Sequence, residues 1–168
     1  MQSNPIEIKI DYLSDWEIGT SLVEKQPNVY FAENYDRLAD SPILIGELSY
    51  AETYVNDISV QIFLFSEDTS ITAGGIMEVA EDVLQSASGF IGYSPVPHYK
   101  FLMCLLADTT FIRNKLYGGG ALEHSYSSLY VMPSSPDGIE MLRSTMAHEF
   151  LHILTPLFLH SEIIHTFN

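Results

Sequence analysis

The sequence predicts an α+β fold: a mixed sheet with two helices packed on it, preceded by the last strands of a β domain. Three observations carry this. Short alternating runs crowd the first 32 residues. Two stretches carry apolar residues at helical spacing. The order after residue 57 is strand, helix, strand, strand, helix, which suits an α+β layer and not a bundle or a sandwich.

In "IEIKIDY" (6–12) apolar and polar residues alternate, as in a half-buried strand. "WEIGTSL" (16–22) and "NVYFA" (28–32) read as two more short strands, with Pro27 and Asn28 as turn residues between them. "NYDRLADSP" (34–42) is a polar connection with room for one helical turn. "ISVQIFLF" (58–65) is a clear strand. Ser70 is placed to cap a helix in which Ile76, Val79, Ala80, Val83, Leu84 and Ala87 share one face. Glu78, Glu81, Asp82 and Gln85 fall on the other face, and Gly74 and Gly75 weaken the first turn. "YKFLMCLLA" (99–107) is an apolar central strand, with Cys104 as a buried packing residue. "EHSYSSLYVM" (123–132) reads as one further strand. Pro136 suits the first position of a second helix, and Pro156 stops it after Thr155.

Composition narrows the function. The 168 residues carry 22 acidic and 7 basic side chains, a net charge of −15. Such a surface repels phosphate backbones, so no nucleic-acid partner is expected. No run reaches the roughly 18 apolar residues of a membrane span. The single cysteine rules out an internal disulfide framework. "MQSNPIEIKI" lacks the basic start and apolar core of a signal peptide.

The chemistry concentrates in "MAHEFLHILTP" (146–156). On a helix His148 and His152 stand one turn apart on the same face, so both imidazoles can reach one ion. Zinc takes neutral imidazole readily. Glu149 is rotated by about 100° from His148, beside the metal and not on it. There it can take a proton from the attacking water and later give it to the leaving amine. With 6 histidines in the chain, a chance His-Glu-x-x-His is expected about 0.02 times. A catalytic zinc wants three protein ligands. His160, Glu162 and His165 follow the helix, but none stands at a spacing that supports ligation, and they read as exposed turn residues.

"GGGALEHSYSSLYVMP" followed by "MAHEFLHILTP" resembles the glycyl aminopeptidase family of zinc peptidases, gluzincins with a thermolysin-like catalytic domain. "DWEIGTSL" resembles the strand near the end of that family's N-terminal β domain, and "YDRLADSPILIG" the linker that follows. The resemblance implies a partial thermolysin-like catalytic domain over residues 41–168 and a remnant of the β domain with its linker over 1–40. It implies zinc held by His148 and His152, with Glu149 as general base. Gly120, Ala121, Leu122 and Glu123 would form an edge strand that pairs with bound peptide, with Glu123 facing the substrate's N-terminal amine. His124 reads as a structural histidine, and Tyr126 and Tyr130 as strand packing.

The resemblance also implies absences. The third ligand of a gluzincin, a Glu on a later helix, would lie past Asn168, as would the group that stabilises the oxyanion. The expectation is therefore a fragment of an aminopeptidase that cleaves after small N-terminal residues (Gly or Ala), inactive by itself. Apolar surface left bare by the truncation could drive self-association. The resemblance favours export to the periplasm or cell surface. The runner-up is a pseudo-peptidase that binds peptide or a protein partner. Last comes a complete hydrolase drawing a ligand from Glu162, His165 or a second chain.

Overall fold

A computed structural model describes residues 4–93, 96–110 and 119–154. Pro156, His160, Glu162 and His165 lie outside the described residues, as does Gly118. Among the described residues the fold is mixed α+β, with three sheets.

The larger sheet has five strands: β6 (Ser49–Val55), β7 (Ile58–Ser66), β8 (His98–Leu106), β9 (Gly120–His124) and β10 (Ser127–Pro133). Their spatial order is β6-β7-β8-β10-β9. The central pairs β7/β8 and β8/β10 are parallel, and the outer pairs are antiparallel. The long helix α2 (Ala73–Ile91) makes the crossover that the parallel pair β7/β8 needs. Helix α3 (Pro136–Leu151) follows β10. Both helices cover one face of the sheet. Alternation selects what meets them: Ile58, Val60, Ile62 and Leu64 from β7, and Tyr99, Phe101, Met103 and Leu105 from β8, are all buried in one core with Ile76, Leu84, Leu142 and Phe150.

The N-terminal strands stack on the opposite face. β1 (Ile6–Lys9), β3 (Val23–Gln26) and β4 (Val29–Ala32) form one small sheet, while β2 (Glu17–Thr20) pairs with β5 (Ile43–Gly46). Asn28 closes the β3–β4 turn at φ 65°, a conformation asparagine tolerates well. Gly19 is the contact point with the large sheet. A Cβ there would lie 2.6 Å from the Phe63 ring and 2.9 Å from Leu102. Gly19→Ala is therefore expected to cost about 1–3 kcal/mol by overpacking, read as a lowered midpoint in urea; an unchanged midpoint would contradict this packing.

Several sequence expectations need correction. β3, β5 and β6 are strands beyond those the sequence predicts: β3 is exposed throughout, with two charges in four residues, and β5 is an unbroken apolar run with no alternation. The stretch 123–132 is not one strand. It ends β9, turns at Ser125–Tyr126 and continues as β10. Thr72, not Ser70, caps α2; its side chain accepts from Gly75 N–H at 3.3 Å, whereas Ser70 is bound to Asp68. The α-helical part of α3 ends at Leu151, and residues His152–Leu154 tighten into a 3₁₀ turn. Cys104 faces away from the helices, is only half-buried, and has its thiol pKa pushed up by burial. Among the described residues no helix is long and apolar enough to cross a membrane.

Candidate metal centre

Helix α3 is anchored at both ends. Ser135 caps it, accepting from Gly138 N–H at 3.3 Å, with Pro136 at its first position. Gly138 lies against the Pro133 carbonyl, where any Cβ would collide. Leu142, Met146, Glu149 and Phe150 form its buried stripe. At the far end the Phe150 ring, fully buried, meets Tyr99 edge-on with centroids 5.1 Å apart at 84°. This contact fixes the rotation of the last turn and so the direction of its neighbours.

Those neighbours converge. The Nε2 atoms of His148 and His152 lie 3.0 Å apart, with the rings nearly perpendicular at 76°. Together with a Glu149 oxygen, the donor atoms all fall within 4.8 Å of one another. Two imidazoles bound to one tetrahedral zinc at 2.0–2.1 Å would hold their nitrogens roughly 3.3 Å apart. The pair is thus set close to the separation a shared ion requires, at the C-terminal end of a helix, where the dipole favours a cation. The donor set fits zinc. His148 is exposed, His152 half-buried and Glu149 only 7% exposed. The carboxylate therefore sits deeper than the two rings.

Strand β9 borders this site. It is the last strand of the sheet, so one of its edges is unpaired among the described residues, and α3 and the following 3₁₀ turn pack against it. Glu123 is directly opposite Ser128, and Ala121 opposite Tyr130. Directly opposed residues share a face. Ser128 and Tyr130 lie on the helix side, buried and bonded to each other at 2.8 Å. Glu123 therefore projects on the side that carries α3, whereas Gly120 and Leu122 alternate to the other. Of these four positions Ala121 is half-buried and the rest are exposed. The Tyr99 hydroxyl reports the same neighbourhood. Burial raises its pKa, against the pull of Ser128 and with the negative charges of Glu149, Glu123 and Asp40. The sequence does not single out Tyr99 or Ser128; the only signal is a tyrosine in phase with Phe101 in a strand that also holds His98 and Lys100.

The turn after Glu123 is pinned by a residue 85 positions away. Asp40 accepts from Ser125 N–H at 3.1 Å and lies 3.3 Å from His124 Nδ1, with Arg37 at 3.9 Å. The structural role expected for His124 is thus met by a specific partner. Arg37 follows in the short helix α1 (Tyr35–Ala39); it stacks on Tyr126, which stacks on His98 at 5.0 Å. Against the cost of its own burial, hydrogen bonds from His124 and Ser125 hold the Asp40 carboxyl below its ordinary value. A carboxylate lowered in the folded state stabilises above its unfolded pKa, and that contribution is lost as pH falls through the lower folded value. Asp40→Asn is expected to cost on the order of 1 kcal/mol at pH 7, after discounting for partial exposure. The gap to wild type should close below about pH 4, near the unfolded carboxylate value. A pH series of urea midpoints checks both, and a gap that widens in acid would contradict the assignment.

Residues 1–47 match the sequence model of the peptidase M61 N-terminal domain. No curated protein matches the chain. Among solved structures the fold is similar to that of an aminopeptidase N family protein from Idiomarina loihiensis, with a TM-score of 0.70 and 22% identity over 90% of this chain. The match covers 27% of the other chain, so this sequence spans about a quarter of that neighbour's length. Both likenesses are to peptidase families, and at that identity the second is a likeness of fold.

Proposed function

We propose that this chain is part of a zinc-dependent aminopeptidase and carries two of its metal ligands, its general base and its peptide-binding edge. The observation that supports this best is the convergence of His148, Glu149 and His152 beside an open strand edge bearing Glu123. His148 and His152 would hold the metal through their Nε2 atoms. Zinc bound there would supply Lewis-acid polarisation of the scissile carbonyl and acidify the attacking water.

The protein's own groups do the rest. The Glu149 carboxylate, shielded from bulk water, takes a proton from the attacking water and delivers it to the leaving amine. The free edge of β9, over Gly120–Glu123, pairs with the extended substrate backbone as an added strand would. Glu123 meets the substrate's N-terminal ammonium, a charge-assisted contact that fixes the register so that only the first peptide bond reaches Glu149. The preference for a small first residue, Gly or Ala, is carried by the family resemblance. In this reading residues 1–40 are the end of a β domain and its linker. Residues 41–168 are the first part of a thermolysin-like catalytic domain, in an exported protein. The third zinc ligand and the oxyanion donor come from outside these residues, so the chain by itself turns over no substrate. Its bare outer groove, walled by Phe90, Met141 and Leu151, promotes self-association, measurable by sedimentation.

The test uses Gly- and Ala-terminated chromogenic amides. A polypeptide that carries this sequence with its continuation is expected to hydrolyse them, and to lose activity with a chelator and with Glu149→Ala. The 168-residue chain alone is expected to show none. Chelator-sensitive turnover by the short chain, abolished by Glu149→Ala, would overturn the missing-ligand reading. No turnover by the longer polypeptide would favour a non-catalytic peptide-binding module.

A further inference from the structure

We infer that the cavity between the N-terminal strands and the helix-free face of the large sheet binds a small zwitterion, an α-amino acid. Its carboxylate would rest on Lys100 and its ammonium on Glu17 and Glu24. The cavity has a volume of about 350 Å³, within the size range of small-ligand sites. It is on the far side of the sheet from α3. Tyr99 and Phe101 face the helices, so Lys100 between them points the other way. The inference does not depend on the proposed peptidase site.

Three features point to an occupant. Lys100 is half-buried, yet none of the ion pairs among the described residues includes it. Burial lowers its pKa, and the pull of Glu52 and Glu24 only partly offsets this. The Lys100 Nζ lies over the Phe63 ring, 5.8 Å from the centroid, a weak contact that leaves the desolvated ammonium without an anionic partner among the ion pairs of the described residues. That is costly, and a ligand carboxylate would supply one. The side-chain carbonyl oxygen of Gln61, also in the cavity wall, is buried and accepts no hydrogen bond among the described residues. It awaits a donor, which an ammonium provides. Glu17 and Glu24 complete the wall beside Tyr30, whose phenol is held protonated by burial and by both of these charges.

This charge pattern selects the ligand. A simple anion would meet Lys100 but be repelled by the two glutamates. A simple cation would meet the glutamates but be repelled by Lys100. A molecule carrying both charges a few ångströms apart satisfies both ends. Tyr50 and Phe63, packed with ring centroids 5.1 Å apart, offer an apolar wall for its side chain.

The experiment is calorimetric titration of the full 168-residue chain with L-leucine, acetate and methylamine. L-Leucine is expected to bind saturably, with acetate and methylamine at least tenfold weaker. Lys100→Met should weaken L-leucine at least tenfold, with circular dichroism checking that the variant is folded. Glu24→Gln keeps an acceptor for Asn28 N–H, which Glu24 now accepts at 2.9 Å. It should weaken L-leucine several-fold while strengthening acetate. Absence of saturable L-leucine binding, or equal binding of acetate, would overturn the inference. So would L-leucine binding that Glu24→Gln leaves unchanged. Binding removed by Glu123→Gln would move the site to β9 and overturn it equally.

Discussion

Replacement of His148 by alanine is expected to weaken zinc binding by at least about a hundredfold, and His152→Ala should do the same. The reasoning is geometric. The two Nε2 atoms lie 3.0 Å apart on consecutive turns of one helix end, so neither ring alone offers a chelate. Loss of an outer-shell partner to a metal-bound histidine already costs 10–100-fold in affinity. Loss of one of two ligands costs at least the upper end of that range. Glu149→Gln should differ: it keeps the shape and leaves the imidazoles intact, so zinc affinity should change far less than in either histidine variant. Competition titration against a chromophoric chelator reads all three. Equal losses in the three variants would mean that Glu149 is a ligand and not a base.

Phe150→Ala is expected to destabilise the fold by about 3–5 kcal/mol, the usual cost of deleting a buried phenyl ring. Phe150 is fully buried and packs edge-on against Tyr99, at the junction of α3 with the central strand β8. For a domain whose total stability is of order 5–15 kcal/mol, this is a large share. The loss should also reach the metal site, because the ring sets the rotation of the turn that carries Glu149 and His152. Urea unfolding gives the first effect and zinc titration the second. A variant with near-normal stability would contradict the core packing described above. Lost stability with unchanged zinc affinity would show that the histidine pair is positioned by the helix alone.

The parts legible in the sequence are those whose signal is local. His148, Glu149 and His152 converge because an α-helix brings positions i and i+4 to one face, and no long-range information is needed to predict it. The apolar stripe of α2 is local in the same sense; Ile76, Ala80, Val83, Leu84 and Ala87 are all buried as its period requires. What could not be read depends on distant partners. The β9–β10 turn at Ser125–Tyr126 contains neither glycine nor proline. It is held by Asp40, 85 residues before Ser125, so the sequence by itself reads as one continuous strand. β5 is a strand because β2 lies beside it, and nothing in "ILIG" announces that pairing. Lys100 interrupts an apolar strand, and only the stacking of β2–β4 on that face shows that it is half-buried over a cavity.

The most direct test of the central claim is histidine nuclear magnetic resonance on the 168-residue chain, with the ring nitrogens of each histidine assigned and one equivalent of zinc added. The account predicts that the Nε2 signals of His148 and His152 shift together, while those of His98 and His124, held on the far side of the sheet by Tyr126 and Asp40, stay where they are. Shifts at His160 or His165 would place a third ligand within the chain and contradict the account. So would zinc that leaves His148 and His152 unmoved.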